Sequence, residues 1–140
     1  MSTQKNNILV RDVMMSLDRV PVIGESVIFK EALEEMGRKR LGIACVVSEQ
    51  NRLKGILTDG DIRRMLLRVQ KPFSAFFVDD ALDHAIQSPL TIEPAHTLVH
   101  AVRLMDEKHI WDLPVVDGAG FLVGLLHLHP AVEALLGIED

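Results

Sequence analysis

Apolar positions along this chain switch between a helical and an extended period, and the order of the switches occurs twice. Phe29, Ala32, Leu33 and Met36 share one helical face. On the opposite face Glu34 and Glu35 each precede a cation, Arg38 and Lys39, by four residues, the order a solvated helix favours. Ser26 stands ahead of this stripe as the candidate N-cap. The apolar run from Leu41 to Val47 is too short for a helix and predicts a buried strand. Ser48 to Asn51 then predicts a turn, Leu53 to Thr58 a returning strand, and Ile62, Met65, Leu66 and Val69 a second helical stripe. Upstream, a polar opening from Met1 to Asn7 is expected to be loose, and Ile8 to Met15 reads as a lead-in turn or short helix. Val20 to Ile23 reads as an extended segment whose Pro21 belongs at a sheet edge.

A shift of 69 residues lays Leu53 to Leu67 on Leu122 to Leu136, and the match runs back without a gap to Val27 on His96. The identities include Ala32/Ala101, Met36/Met105, Val46/Val115, Leu53/Leu122, Gly55/Gly124 and Leu57/Leu126, so what repeats is a small fold. The second copy predicts an extended segment at Leu90 to Ile92, a helix from about Thr97, a strand at Leu113 to Val116, a turn and a strand from Phe121 to His127. Its closing helix starts at Pro130, whose missing N–H suits a first helical turn. These elements divide the chain into a first motif at 8–70, a connector at 71–83 and a second motif at 84–137. Phe73, Phe76 and Phe77 are concentrated in the connector and are read as internal packing. The class is α/β (α+β). One unit has too little apolar surface to stand alone, so two small sheets are expected to pack face to face about a pseudo-two-fold axis, flanked by helices. Two related clefts follow, each where a second strand runs into the helix after it.

Composition narrows the chemistry. A net charge of -5 with mixed signs gives no basic surface for a nucleic-acid backbone. Hydrophobic content is 48% with 4% aromatics and no Tyr, so branched aliphatics, Leu and Met build the core. The one Cys, Cys45, sits in an apolar run and reads as a buried thiol. With no signal-like opening and no stretch of membrane-spanning length, the expectation is a cytoplasmic protein without a membrane partner.

The two copies differ at the strand-to-helix bend, where Thr58, Asp59, Gly60 and Asp61 face His127, Leu128, His129 and Pro130. Free N–H groups at a helix start can seat a phosphate, and a carboxylate one turn in can accept from a ribose diol. Thr58 is thus a candidate donor to sugar or phosphate and Asp61 a candidate acceptor for the diol; the competing reading makes Thr58, Asp59 and Asp61 ordinary helix caps. His127 and His129 can reach one side of the chain, as can His96 and His100, but neither pair brings a third metal ligand in a recognised motif. No nucleophile elbow or placed Cys/His pair is found, so an enzyme is not expected. Trp111 is left open between core and pocket lid.

These residues resemble a pair of cystathionine beta-synthase (CBS) motifs, a Bateman module, from about Val10 to Leu136. The family pattern G-h-h-[ST]-x-x-D is matched by Gly55, Ile56, Leu57, Thr58, Asp59, Gly60 and Asp61, and the helix-to-strand passage from Met36 to Val47 recurs at Met105 to Val116. More narrowly, GILTDGDIRR with LVGLLHLH is similar to the C-terminal regulatory half of bacterial D-arabinose 5-phosphate isomerases of the KpsF/GutQ type, and TDGDIRR to CBS pairs attached to sugar-phosphate nucleotidyltransferases. The sugar isomerase domain is absent from this sequence. The resemblance implies a non-catalytic regulatory module, a homodimer, and AMP, ATP or S-adenosylmethionine as ligand, with the sugar nucleotide CMP-Kdo as an alternative. It implies that Thr58 and Asp61, beside Asp59, contact ribose and phosphate, while backbone from Gly42 through Ile43 and Ala44 to Cys45 and the extended segment near Val22 line the base pocket. In the second cleft His127 replaces the hydroxyl and Pro130 the carboxylate, so that cleft is expected to be empty, weak or adapted to another ligand. A module that only dimerises, with vestigial clefts, is the competing reading.

Overall fold

A computed structural model describes residues 7–137, so the loose opening expected before Asn7 lies outside the described residues. In chain order the elements are helix α1 (Val10–Val13), strand β1 (Val22–Gly24), helix α2 (Phe29–Lys39), strands β2 (Ile43–Val47) and β3 (Leu53–Thr58), and helix α3 (Asp59–Arg68). Helix α4 (Leu98–Lys108), strands β4 (Asp112–Val116) and β5 (Leu122–His127) and helix α5 (Leu128–Leu136) repeat the last four elements of that order. Three-residue and four-residue 3-10 turns lie at Leu17–Arg19, Phe73–Phe76 and Ala81–His84.

The first sheet has the order β1-β2-β3, with β1 parallel and β3 antiparallel to β2. Pro21 lies just outside the edge strand, where its carbonyl accepts the Cys45 N–H at 2.8 Å. The second sheet has only β4 and β5, and the extended segment expected at Leu90 to Ile92 is reduced to one parallel bridge from Ile92 to Val115. The residue standing for Cys45 in this copy is Pro114, which has no N–H to give, so one rung of the parallel ladder cannot form. Ile92 still donates to the Pro114 carbonyl at 3.0 Å and accepts from Val116 at 2.9 Å. Both hairpins carry a register shift at the same repeat position, between Val46 and Val47 and between Val115 and Val116.

Helices α2 and α4 end alike. Arg40 and His109, at one repeat position, take left-handed backbone with φ of 56° and 55°, and the following N–H groups of Leu41 and Ile110 return to the carbonyls of Met36 and Met105. Their starts differ. Thr97 caps α4 by accepting the His100 N–H at 3.2 Å. Ser26 does not cap α2, which begins at Phe29 after Ile28 without any side-chain cap. Its free N–H groups are instead taken by main-chain carbonyls of the connector, Phe29 by Asp79 at 2.8 Å and Lys30 by Phe77 at 3.1 Å. Pro130 is the third residue of α5, still inside the first turn.

The chain falls into two units, Asp18–Pro89 and a second in which the chain from Leu90 packs with the N-terminal segment ending at Leu17. The lead-in, read as the start of the first motif, therefore packs on the second. Each unit is closed by a strap lying across its hairpin. In the first, Ile56 and Ile86 exchange both main-chain hydrogen bonds, at 3.0 and 2.8 Å; in the second, Leu125 and Met15 do so at 3.1 and 2.7 Å. Farther back, Ala81 donates to Val27 at 2.8 Å as Val10 donates to His96 at 2.9 Å. The straps approach the hairpins at the repeated glycines. A Cβ on Gly55 would lie 2.9 Å from the Ile86 carbonyl oxygen, and one on Gly124 would lie 2.6 Å from Met14 Sδ and 2.9 Å from the Met15 carbonyl oxygen.

The straps also complete the cores. Phe76 and Ala81 join Phe29, Met36, Val46, Leu57 and Met65 in one cluster; Val10 joins Leu98, Met105, Leu113 and Leu126 in the other. Burying a side chain of this size stabilises by about 1.5–3 kcal/mol, so each strap contributes to folding as a helix face does. Of the connector rings, Phe76 is buried, Phe77 packs on that cluster, and Phe73 is exposed with its ring edge-on to Phe77 at 5.2 Å. Lys71 sits 4.7 Å over the Phe76 ring and binds Asp79 at 2.7 Å.

Candidate functional site

The bend from β3 into α3 is built by Thr58, whose extended backbone ends the strand and whose Oγ1 accepts the Asp61 N–H at 3.2 Å. The same hydroxyl donates to Asp61 Oδ2 at 2.6 Å, and Arg64 Nη2 donates to Asp61 Oδ1 at 2.6 Å. Partial burial opposes ionisation of Asp61, but the hydrogen bonds from Thr58 and Arg64 and the Arg64 charge outweigh it together and hold the carboxyl below its ordinary range. Asp61 is therefore an anion throughout the neutral range. Each of its oxygens already takes one donor and keeps a lone pair for another, the chemistry needed to accept a hydroxyl pair.

Asp59 folds back over Gly42. Its N–H donates to the Gly42 carbonyl at 3.0 Å, and a Cβ on Gly42 would lie 2.6 Å from Asp59 Oδ2, so only glycine fits there without a shift. Ile43 stands opposite Thr58 in the hairpin and Ala44 opposite Leu57. Gly42, Ile43, Thr58, Asp59 and Asp61 are thus brought together at one end of β2 and β3. The side chains of Ile43 and Ala44 are fully buried, Ala44 in the core of its unit, so neither offers its side chain to a ligand. Val22 lies on the edge strand opposite Cys45, two residues along β2 from Ile43.

The second bend has the same backbone and other chemistry. Leu128 donates to the Trp111 carbonyl at 2.8 Å, the counterpart of the bond from Asp59 to Gly42. His127 occupies the N-cap position of α5 without capping it. Its Nδ1 instead lies 2.7 Å from Asp112 Oδ1, directly across the hairpin. A carboxylate does stand at this bend, then, supplied by the strand rather than the helix. Sequence reasoning passed over Asp112, although the repeat offset places it on Ile43 and hence opposite His127. Trp111 is 68% exposed, which places it at the surface of its unit. His129 pairs with Glu133 at 2.7 Å, and His96 stacks on His100 with ring centres 5.1 Å apart. Among the described residues no three His, Cys, Asp or Glu side chains gather as a cation site, and no helix is long and apolar enough to cross a membrane.

Known proteins resemble this chain in sequence and in fold. The arabinose 5-phosphate isomerase KdsD of Escherichia coli strain K12 is 30% identical over 125 residues, which cover 89% of this chain and 37% of that protein. A protein of Helicobacter pylori strain J99 is 33% identical over 136 residues, covering 93% of this chain and 37% of its own length. The chain thus spans little more than a third of the curated relatives it matches. Among solved structures, the CBS-pair protein CBSX2 from Arabidopsis thaliana is 28% identical with a TM-score of 0.79, covering 93% of this chain and 95% of that one. A crystal structure of CBSX2 in complex with AMP gives 29% identity and a TM-score of 0.81, covering 94% and 98%. The family model of the CBS domain matches residues 10–68 and 78–135, one match on each repeat. This chain belongs to the CBS domain family, and its two motifs make up the tandem pair known as a Bateman module.

Proposed function

We propose that this CBS pair is a non-catalytic regulatory module that binds an adenosine nucleotide or a sugar nucleotide at the Thr58–Asp61 bend. Occupancy is passed to a fused or associated enzyme of sugar-phosphate metabolism. The observation that carries the reading is the ionised Asp61, fixed at the head of α3 by Thr58 and Arg64 with acceptor capacity to spare. AMP bound to CBSX2, at 29% identity and over nearly the whole chain, favours an adenosine nucleotide. The match to KdsD favours a sugar-phosphate isomerase as the effector enzyme. Signalling then needs only that the ligand bind one state of the module better than another.

Thermal unfolding with AMP, ATP, CMP, CMP-Kdo and S-adenosylmethionine tests this. A ligand at a hundredfold excess over its Kd stabilises the folded state by about 2.7 kcal/mol, a shift of several degrees. At least one compound should raise the midpoint of the wild type and leave Asp61→Ala unmoved. A wild type indifferent to all five removes the reading. The competing reading, a module that serves to dimerise, draws on Leu67 and Leu136. These leucines share one repeat position near the ends of α3 and α5, and are 79% and 63% exposed. Sedimentation of Leu67→Lys with Leu136→Lys against wild type tests whether these leucines hold a dimer, and the ligand panel separates the two readings.

A further inference from the structure

In the second unit the rings of His96 and His100 stack, with centres 5.1 Å apart and planes inclined by 22°. His96 closes the turn that begins at Glu93, and His100 lies in the first turn of α4, its N–H held by Thr97. Both residues are exposed. Three other histidines are each met by an acid, His84 by Asp79, His127 by Asp112 and His129 by Glu133. Among the described residues no acid or hydroxyl engages the ring of His96 or His100, which touch each other. Glu93 turns its carboxyl toward Gly118, 3.6 Å from where a Cβ there would lie. Each neutral imidazole therefore keeps a nitrogen lone pair for a metal ion. A metal–nitrogen bond of about 2.0–2.1 Å plus a ring radius of about 1.1 Å puts two rings that share an ion about 4.5–5.2 Å apart, from square to tetrahedral angles. The observed separation falls inside that span.

We propose that His96 and His100 chelate a late divalent transition-metal ion, of the zinc and nickel class, with water in the remaining positions. Magnesium and calcium prefer oxygen ligands and are not expected to bind there. The stretch between the two histidines is also where the lead-in strap docks. Val10 donates to the His96 carbonyl at 2.9 Å, Leu98 donates to the Ile8 carbonyl at 2.8 Å, and Leu9 bridges to Thr97. An ion held by both rings ties the turn to the head of α4 and so fixes the seat of that strap. The repeat supplies an internal control. Val27 and Glu31 stand for His96 and His100 in the first copy and carry no imidazole. The first strap, which docks on Val27 through Ala81 at 2.8 Å, is therefore indifferent to the ion.

The experiment is isothermal titration of the untagged full chain with Zn²⁺, Ni²⁺ and Mg²⁺, followed by amide hydrogen exchange at saturating Zn²⁺. Zn²⁺ and Ni²⁺ should bind at one ion per chain and Mg²⁺ should not. His96→Gln and His100→Gln should each weaken binding about a hundredfold, because a second tethered ligand multiplies affinity by about 10²–10⁴. Neither variant should shift the metal-free thermal midpoint, since both side chains are exposed. His127→Gln and His129→Gln should bind as wild type does. Zn²⁺ should slow exchange of the Val10 and Leu98 amides severalfold and leave that of Ala81 unchanged. Absence of binding, unchanged affinity in both His96 and His100 variants, equal binding of Mg²⁺, or loss of the ion with His127 or His129 overturns the chelate. Slowing at Ala81 equal to that at Val10, or no slowing at either, overturns the clamp on the strap.

Discussion

The two bends of this module share a backbone and differ in where they keep their carboxylate. In the first, Asp61 projects from the first turn of α3 and is bound by the residue that caps that helix. In the second, Pro130 holds the equivalent place, and the carboxylate has moved to Asp112 on the neighbouring strand, where it pairs with His127. The hydrogen bond that fixes the bend is the same in both: Asp59 to Gly42, Leu128 to Trp111. It is main-chain to main-chain, so the bend survives any change of side chain that its neighbours tolerate. That separation lets one scaffold carry a helix-borne aspartate held by a threonine and an arginine in one copy and a histidine–aspartate pair in the other.

The comparison breaks most sharply at what the copies share. Gly55→Val puts a branched side chain where even a Cβ meets the Ile86 carbonyl at 2.9 Å, and the strap must lift. A cost of about 3 kcal/mol is expected, read as a fall in the urea midpoint. Gly124→Val should cost as much, because the Met15 carbonyl stands equally close. If either substitution is neutral, the straps do not pack as the hydrogen bonds at Ile86 and Met15 say they do.

Thr58→Ala and His127→Ala probe what the copies do not share. Thr58 caps its helix and holds Asp61, so its loss should cost about 1–2 kcal/mol. His127 caps nothing and contributes a cross-strand pair, worth about 0.5 kcal/mol. Equal losses in chemical denaturation would mean that the two bends are energetically alike. Relief of strain should follow the shared backbone again. Arg40→Gly and His109→Gly each remove a side chain from left-handed backbone and should each stabilise by about 1 kcal/mol in the same assay.

The repeat made most of this fold legible. Offset identities at Met36/Met105, Gly55/Gly124 and Leu57/Leu126 placed the helices and hairpins, and the T-x-x-D pair placed the bend. The straps were not legible, for a physical reason: their equivalence is one of main-chain pairing, and Ile86 and Met15 share no side-chain pattern. They also sit two residues off the offset of the other elements, so sliding the sequence against itself stops at Val27. Ser26 misled because helix caps can be supplied by distant carbonyls, here those of Asp79 and Phe77, that leave no local trace. The shortened extended segment at Ile92 was written in the sequence as Pro114, but its meaning depends on knowing that Cys45 donates to the Pro21 carbonyl.

The smallest effect is the most specific to the first bend. Asp61 is depressed below its ordinary range in the folded protein, so its ionised form contributes stability above that range, and the contribution is lost as pH falls through the folded value. The difference in unfolding free energy between wild type and Asp61→Asn should therefore be level from neutrality down to about pH 5 and close below it. The gap should not exceed about 1 kcal/mol, because Arg64 is largely in water and the pair is screened. Asp79 is also depressed, by Lys71 first and then His84, but it is present in both proteins and cancels from the difference. A difference that stays level below about pH 4 would mean that Thr58 and Arg64 do not hold the Asp61 carboxylate as their hydrogen bonds say they do.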